Sequence, residues 1–86
     1  MIEKKKHTNL EQGSLNDEAF ELLLGLTSIR SEPLIEALRD HYVFNLSKSA
    51  SYTKHGVDKT IFSRKLRVLE KVFESVIQFL NVYKER

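Results

Sequence analysis

One feature limits the fold more than any other. Phe62, Leu66, Leu69, Phe73, Val76, Leu80 and Tyr83 follow one another in alternating steps of four and three. That alternation puts an apolar side chain on the same side of every helical turn, a pattern that only a helix can bury. Ile61, Val68, Val72 and Phe79 widen the stripe. No Gly or Pro follows Gly56, so the chain supplies no obligatory break. A helix is predicted over residues 58–83, either straight or bent into two. Run straight, it would be about 39 Å long. Its first half fits packing on the rest of the chain, whereas Val76 to Tyr83 would reach past it toward a partner subunit.

The remaining segments also read as helices. Residues 1–14 carry three Lys, then polar residues and Gly13, and read as a flexible tail preceding a domain over 15–86. Ser14 or Asn16 can cap a first helix, and Asp17, Glu18 and Glu21 suit its positive end. Leu15, Ala19, Phe20, Leu22, Leu23, Leu24 and Leu26 cover nearly every side of that helix, which implies burial on more than one face, either as the central helix of the domain or in a subunit contact. Gly25 and Thr27-Ser28 mark its end. Ser31 reads as the next cap, with Pro33 in the first turn and Leu34, Ile35, Leu38 and Tyr42 at helical spacing over about 32–44. A short third helix, about 47–55, starts at Ser47 and turns Ala50, Tyr52 and His55 inward. Ser51 falls on that inner side as well. The expected class is all-α: four to five helices, including a helix-turn-helix and a long C-terminal helix.

Charge is distributed unevenly. The net charge is only +2. Residues 1–40 hold five Lys or Arg against eight Asp or Glu, whereas residues 41–86 hold nine against four. Residues 47–71 hold Lys48, Lys54, Lys59, Arg64, Lys65, Arg67 and Lys71 against Asp58 and Glu70. Such clustering is the footprint of a polyanion site. The turn "HGVD" (residues 55–58) lies within it: Gly56 can take a left-handed conformation, Val57 can bury, and Asp58 can cap the helix that follows. A short helix, a Gly-containing turn and a second helix make a helix-turn-helix pattern. In the second helix Phe62, Leu66 and Leu69 face the core, while Lys59, Thr60, Ser63, Arg64 and Arg67 face outward. Guanidinium groups and hydroxyls suit base edges and phosphates, and Lys48 and Lys54 would flank the groove on phosphates.

Other chemistries find little footing. There is no Cys, so neither a disulfide framework nor a thiolate metal site is available. His7, His41 and His55 lack metal-ligand spacing, and no metal or cofactor is expected. His41 reads as surface or half-buried, and His55 as a turn-packing residue. No nucleophile motif or phosphate loop occurs, which argues against an enzyme. No apolar run approaches the ~18 residues of a membrane span, and no secretory signal is recognisable. The cytoplasm is the expected compartment.

The stretch over residues 20–69 resembles the PapB-type regulators of fimbrial (adhesin) operons in enteric bacteria. The most specific part is "LLLGLTSIRSEPLIEAL", whose Gly25, Thr27, Ser28, Ile29 and Ser31 follow the family's Leu-Leu-x-Gly-x-(Ser/Thr)-Ser-Ile-x-Ser pattern ahead of an amphipathic helix. Ser47-Lys48, Phe62-Ser63 and Leu66 carry the second part. The resemblance implies a small, all-helical, oligomeric transcription regulator that binds A/T-rich control DNA, often as several copies side by side. It places Lys48, Lys54, Ser63 and Arg64 in the DNA-facing part. Gly56, Thr60 and the other basic residues of the last helix depart from the family pattern, so the operator does not transfer.

Together these readings predict double-stranded DNA as partner, with Lys48, Lys54, Lys59, Thr60, Ser63, Arg64 and Arg67 at the contact. A homodimer or higher homo-oligomer is expected through Leu22, Leu23, Leu26, Phe73, Val76, Phe79, Leu80 and Tyr83. The competing reading is a protein-binding module that presents its apolar faces to a second regulatory protein.

Overall fold

The computed structural model describes residues 10–84. Four helices and no strand occur among them: α1 (Asp17–Leu24), α2 (Glu32–Tyr42), α3 (Lys48–Lys54) and α4 (Lys59–Lys84). Helix α4 is continuous, so the last helix neither splits nor bends into two, and it nearly spans the long dimension of a body of 45 × 27 × 22 Å.

Local chemistry sets the ends of these helices. Asn16, rather than Ser14, caps α1, its Oδ1 accepting from the Ala19 amide at 2.7 Å. Thr27 closes the exit of that helix: its hydroxyl donates to the Leu24 carbonyl at 2.7 Å and accepts from the Ile29 amide. Ser31 sits at the start of α2, but its side chain makes no capping bond there; Pro33 supplies the preset first turn. Helix α2 stops at Tyr42, two residues before the expected end. Asn45 takes a positive φ of 65°, a conformation Asn tolerates better than most residues. The resulting reversal lets the Leu46 amide donate to the Asp40 carbonyl at 2.9 Å. Ser47 caps α3 through its hydroxyl, which accepts from the Ala50 amide at 3.1 Å.

The core joins all four helices. Phe20 and Leu23 from α1 meet Leu34, Ala37, Leu38 and Tyr42 from α2, and Phe62, Leu66 and Leu69 from α4. One expectation about buried faces is corrected: Ala50 of α3, expected inward, is exposed. Helix α1 buries only the face of Phe20 and Leu23, while Leu22 and, just beyond the helix end, Leu26 stay 69% and 62% exposed. In α3, Ser51 is the fully buried residue. The Ser51 hydroxyl donates to the Ser47 carbonyl at 2.8 Å, so its polarity is satisfied within the helix and its small volume lets α3 lie close to α2.

The tail boundary also moves. Leu10 is buried in the core. The Gly13 amide donates to the His41 carbonyl and the Leu15 amide to the Tyr42 carbonyl, both at 3.0 Å. Gln12 donates to the Asn45 carbonyl at 2.8 Å. Residues 10–14 therefore cover the end of α2, satisfying carbonyls that the helix leaves without partners. Gly13 is needed where it stands: its φ is +68°, and a Cβ there would lie 2.6 Å from the Asn45 Oδ1. Residues 1–9 of the expected tail lie outside the described residues.

Arg39 ties α1 to α2. Its guanidinium pairs with Asp17 and, at 2.6 Å, with Glu21, and lies over the Phe20 ring at 5.0 Å. The hydrogen bond to Glu21 is the main influence raising its pKa, and Arg39 stays charged throughout.

One buried group breaks the pattern of satisfied polarity. The Tyr42 hydroxyl is buried and has no hydrogen-bond partner among the described residues, and burial drives the phenol well above its ordinary range. An unpartnered buried hydroxyl costs about 1–3 kcal/mol. Tyr42→Phe is expected to raise the thermal midpoint by a few degrees, about 4–8 °C per kcal/mol for a domain of this size. A fall of similar size in a calorimetric scan would show that the hydroxyl does bond.

Candidate nucleic-acid interface

The candidate surface is built on the turn between α3 and α4. His55 ends α3, and the Gly56 amide donates to the Thr53 carbonyl at 3.2 Å. Gly56 has a φ of +65°, and a Cβ would meet nothing within 4 Å. The backbone angle, and not crowding, favours glycine here. The half-buried Val57 anchors the turn, its amide donating to the Tyr52 carbonyl at 2.8 Å. Asp58 caps α4, its Oδ2 accepting from the Ile61 amide at 3.1 Å. Phe62 then enters a socket between elements. Tyr52 of α3 packs on it at 5.5 Å and His41 of α2 meets it edge-on at 6.3 Å. The start of α4 is thus held by aromatic contacts from both preceding helices.

With Phe62, Leu66 and Leu69 buried, the opposite face of α4 is set by phase. At about 100° per residue, Thr60, Arg64, Arg67 and Lys71 stand opposite the buried line, and all four are exposed. Ser63 is exposed along one edge of that strip, and Lys59, exposed in the first turn, lies further round toward the buried line. Arg64, Arg67 and Lys71 therefore share an accessible face of the helix. Among the described residues, Lys48, Lys59, Arg64, Arg67 and Lys71 take part in no ion pair. Lys71 was absent from the residues expected at the contact, although its place seven residues beyond Arg64 could have found it. Lys65 is half-buried beside the strip, and Glu74 closes its far end.

On α3, Lys48 is exposed in the first turn. Lys54 differs from expectation. It is exposed, but its ammonium lies 3.5 Å from Oδ2 of Asp40 on α2. His55 donates from Nε2 to the same oxygen at 2.7 Å. This pairing bridges 14 and 15 residues of sequence, which no local pattern reveals. His41 is buried, where it was expected at the surface or half-buried, and its Nδ1 lies 2.8 Å from the Leu46 carbonyl. No group of three or more potential metal ligands occurs among the described residues.

A second surface is apolar. Leu15, Ala19, Leu22, Leu23, Leu26, Phe73 and Val76 line an open groove of about 220 Å³ between α1 and α4. Leu23 is a correction among the expected interface residues: it is buried in the chain's own core and forms part of the groove's wall. Phe73 and Val76 are half-buried. Beyond them Phe79, Leu80 and Tyr83 are exposed near the tip of α4, with the Phe79 and Tyr83 rings stacked at 5.8 Å.

A small all-α chain that holds one cationic helix face clear of its core has the build of a compact helical regulator. Over residues 1–83 the chain matches the adhesin biosynthesis transcription regulatory proteins, the PapB family, and it belongs to that family. It is similar to the F1845 adhesin operon regulatory protein of Escherichia coli, with 30% identity over 71 residues covering 83% of this chain and 84% of that protein. It is also similar to the AFA-III adhesin operon regulatory protein of Escherichia coli, with 28% identity over 74 residues covering 86% and 73% of the two chains. Among solved structures, the crystal structure of E. coli FocB aligns with a TM-score of 0.81 and 30% identity, covering 93% of this chain and 91% of that one. The resemblance carried by "LLLGLTSIRSEPLIEAL" is borne out, and the chain stands among transcription regulators, not enzymes.

Burial also makes the socket around Phe62 sensitive to acid. Desolvation lowers the His41 pKa, outweighing the opposing effect of its bond to the Leu46 carbonyl. The unfolded chain then binds the proton more readily than the fold does. Stability from this group is full above the unfolded value near 6.5 and is lost as pH falls from there toward the lowered native value. Urea midpoints of wild type and His41→Gln, compared between pH 7.5 and 5.5, should show the shallower pH dependence in the variant. Parallel curves would rule out His41 as the source.

Proposed function

We propose that this chain regulates transcription of a fimbrial or adhesin operon by binding A/T-rich control DNA. Helix α3, the turn at Gly56 and α4 act as a helix-turn-helix, with the first half of α4 as the recognition helix. The observation that carries this reading is the exposed strip of Arg64, Arg67 and Lys71, set opposite the buried Phe62, Leu66 and Leu69, with Lys59 exposed in the first turn of α4. Arg64 and Arg67 suit bidentate contact with guanine or phosphate. Thr60 and Ser63 add hydroxyls that pair with either partner. Lys48 and Lys54 flank the strip as phosphate contacts. Family membership and the names of the adhesin operon relatives support the same reading. The strip is equally compatible with the major groove and with a narrow A/T-rich minor groove. The cytoplasm is the compartment this function requires, and no described helix is long and apolar enough to cross a membrane.

The active species is a homodimer or higher homo-oligomer. Leu22, Leu26, Phe79, Leu80 and Tyr83 are exposed large apolar residues, and contiguous surfaces of that kind usually mark an association site. The same exposed face supports a second reading, a module that docks on another regulatory protein without touching DNA.

Two measurements decide between them. In anisotropy titrations on an A/T-rich duplex, each phosphate contact should contribute about −0.9 to the log–log salt slope. Lys59→Ala/Arg64→Ala should flatten the slope by about one to two of these steps, and salt-independent or absent binding would favour the protein-docking module. In sedimentation, Leu80→Lys should give a folded monomer with weakened DNA affinity. A wild type already monomeric at high concentration would remove the oligomer from the proposal.

A further inference from the structure

Asp40 is the only buried acid among the described residues, and its contacts lie at the two ends of α3. Its backbone carbonyl accepts from Leu46 at 2.9 Å, just before α3 begins. Its Oδ2 accepts from His55, just after α3 ends, at 2.7 Å. The same oxygen lies 3.5 Å from the Lys54 ammonium, with side-chain exposures of 60% for Lys54 and 10% for Asp40. From these contacts, and resting on the DNA-binding reading above, we infer that Asp40 is a positioning residue that restrains Lys54 and so tunes the strength and salt sensitivity of the basic face.

Asp40 and an arriving phosphate compete for the Lys54 ammonium. A carboxylate largely withdrawn from water holds a cation more firmly than a surface carboxylate does, because water screens it less. Lys54 has a long flexible stem and enough exposure to turn outward. A phosphate arriving at α3 must therefore draw the ammonium from Asp40 or share it with a fixed negative charge. His55 gives the carboxylate a second task, since their bond secures the turn that leads into α4. The two tasks are separable chemically. Asp40→Asn keeps a carbonyl oxygen that can accept from His55, while it removes the charge that retains Lys54.

The test uses the full-length chain in two arms, the duplex titration and elution from immobilised heparin, a polyanion without base pairs. Asp40→Asn should bind several-fold more tightly at low salt. Between 50 and 200 mM salt it should lose about three to four times more affinity than wild type loses, the effect of one added phosphate contact. It should also elute from heparin at higher salt. In a Lys54→Gln background the same substitution should change neither readout. Unchanged or weaker polyanion binding by folded Asp40→Asn would overturn the inference, as would a gain that persists without Lys54. If wild type ignores the duplex, the DNA reading fails and the heparin arm still decides this one. Should Asp40→Asn not fold, Lys54→Gln alone decides. It should cost clearly less affinity and slope than Lys48→Gln, and equal losses would show that Lys54 is unrestrained.

Discussion

Everything functional in this chain depends on how Phe62 is held. It is fully buried at the point where α2, α3 and α4 meet, with Tyr52 on one side and the edge of His41 on another. Burying an aromatic side chain contributes about 1.5–3 kcal/mol, a large share of what a domain of this size has to spare. The contact also has direction. Because Phe62 is the first apolar residue of the α4 seam, fixing it fixes the rotation of the helix, and the rotation determines which residues face water. Arg64 and Arg67 are exposed because Phe62, Leu66 and Leu69 are not. The basic face is therefore a consequence of core packing, which needs no further device to display it.

The parts of the fold that could be read in advance are those where a local pattern has one physical solution. The step of four and three from Phe62 to Tyr83 admitted only a helix, and α4 runs unbroken to Lys84. Side-chain caps at Asn16, Ser47 and Asp58 act on amides three residues ahead, so sequence proximity suffices to find them. The parts that escaped depend on distant partners. Leu10 and Gly13 look like a polar tail until the carbonyls of His41 and Tyr42 are brought beside them. Ala50 was expected inward and is exposed, while Ser51, already expected on the inner side, is fully buried with its hydroxyl satisfied by the Ser47 carbonyl.

The candidate site divides along the same line. Lys59, Thr60, Ser63, Arg64 and Arg67 follow from helix phase, and all are exposed. Lys71 follows from the same phase and required only that the count be carried one turn further. Lys54 does not follow, because its tie to Asp40 joins two helices. The apolar surface was foreseen as a patch but not as a shape. Leu22 and Leu26 turned outward, and with Leu15, Phe73 and Val76 they line a groove and not a flat face.

The continuity of α4 has a further consequence. Arg64 and Leu80 are separated by about 24 Å along the axis and about 160° around it. With no hinge between them, the helix behaves as a single lever whose two ends keep a constant azimuth. Anything that grips the Leu80 side of the tip approaches from behind the cationic strip and leaves it uncovered. Because the helix is unbroken between them, the orientation of the tip and that of the strip are set together.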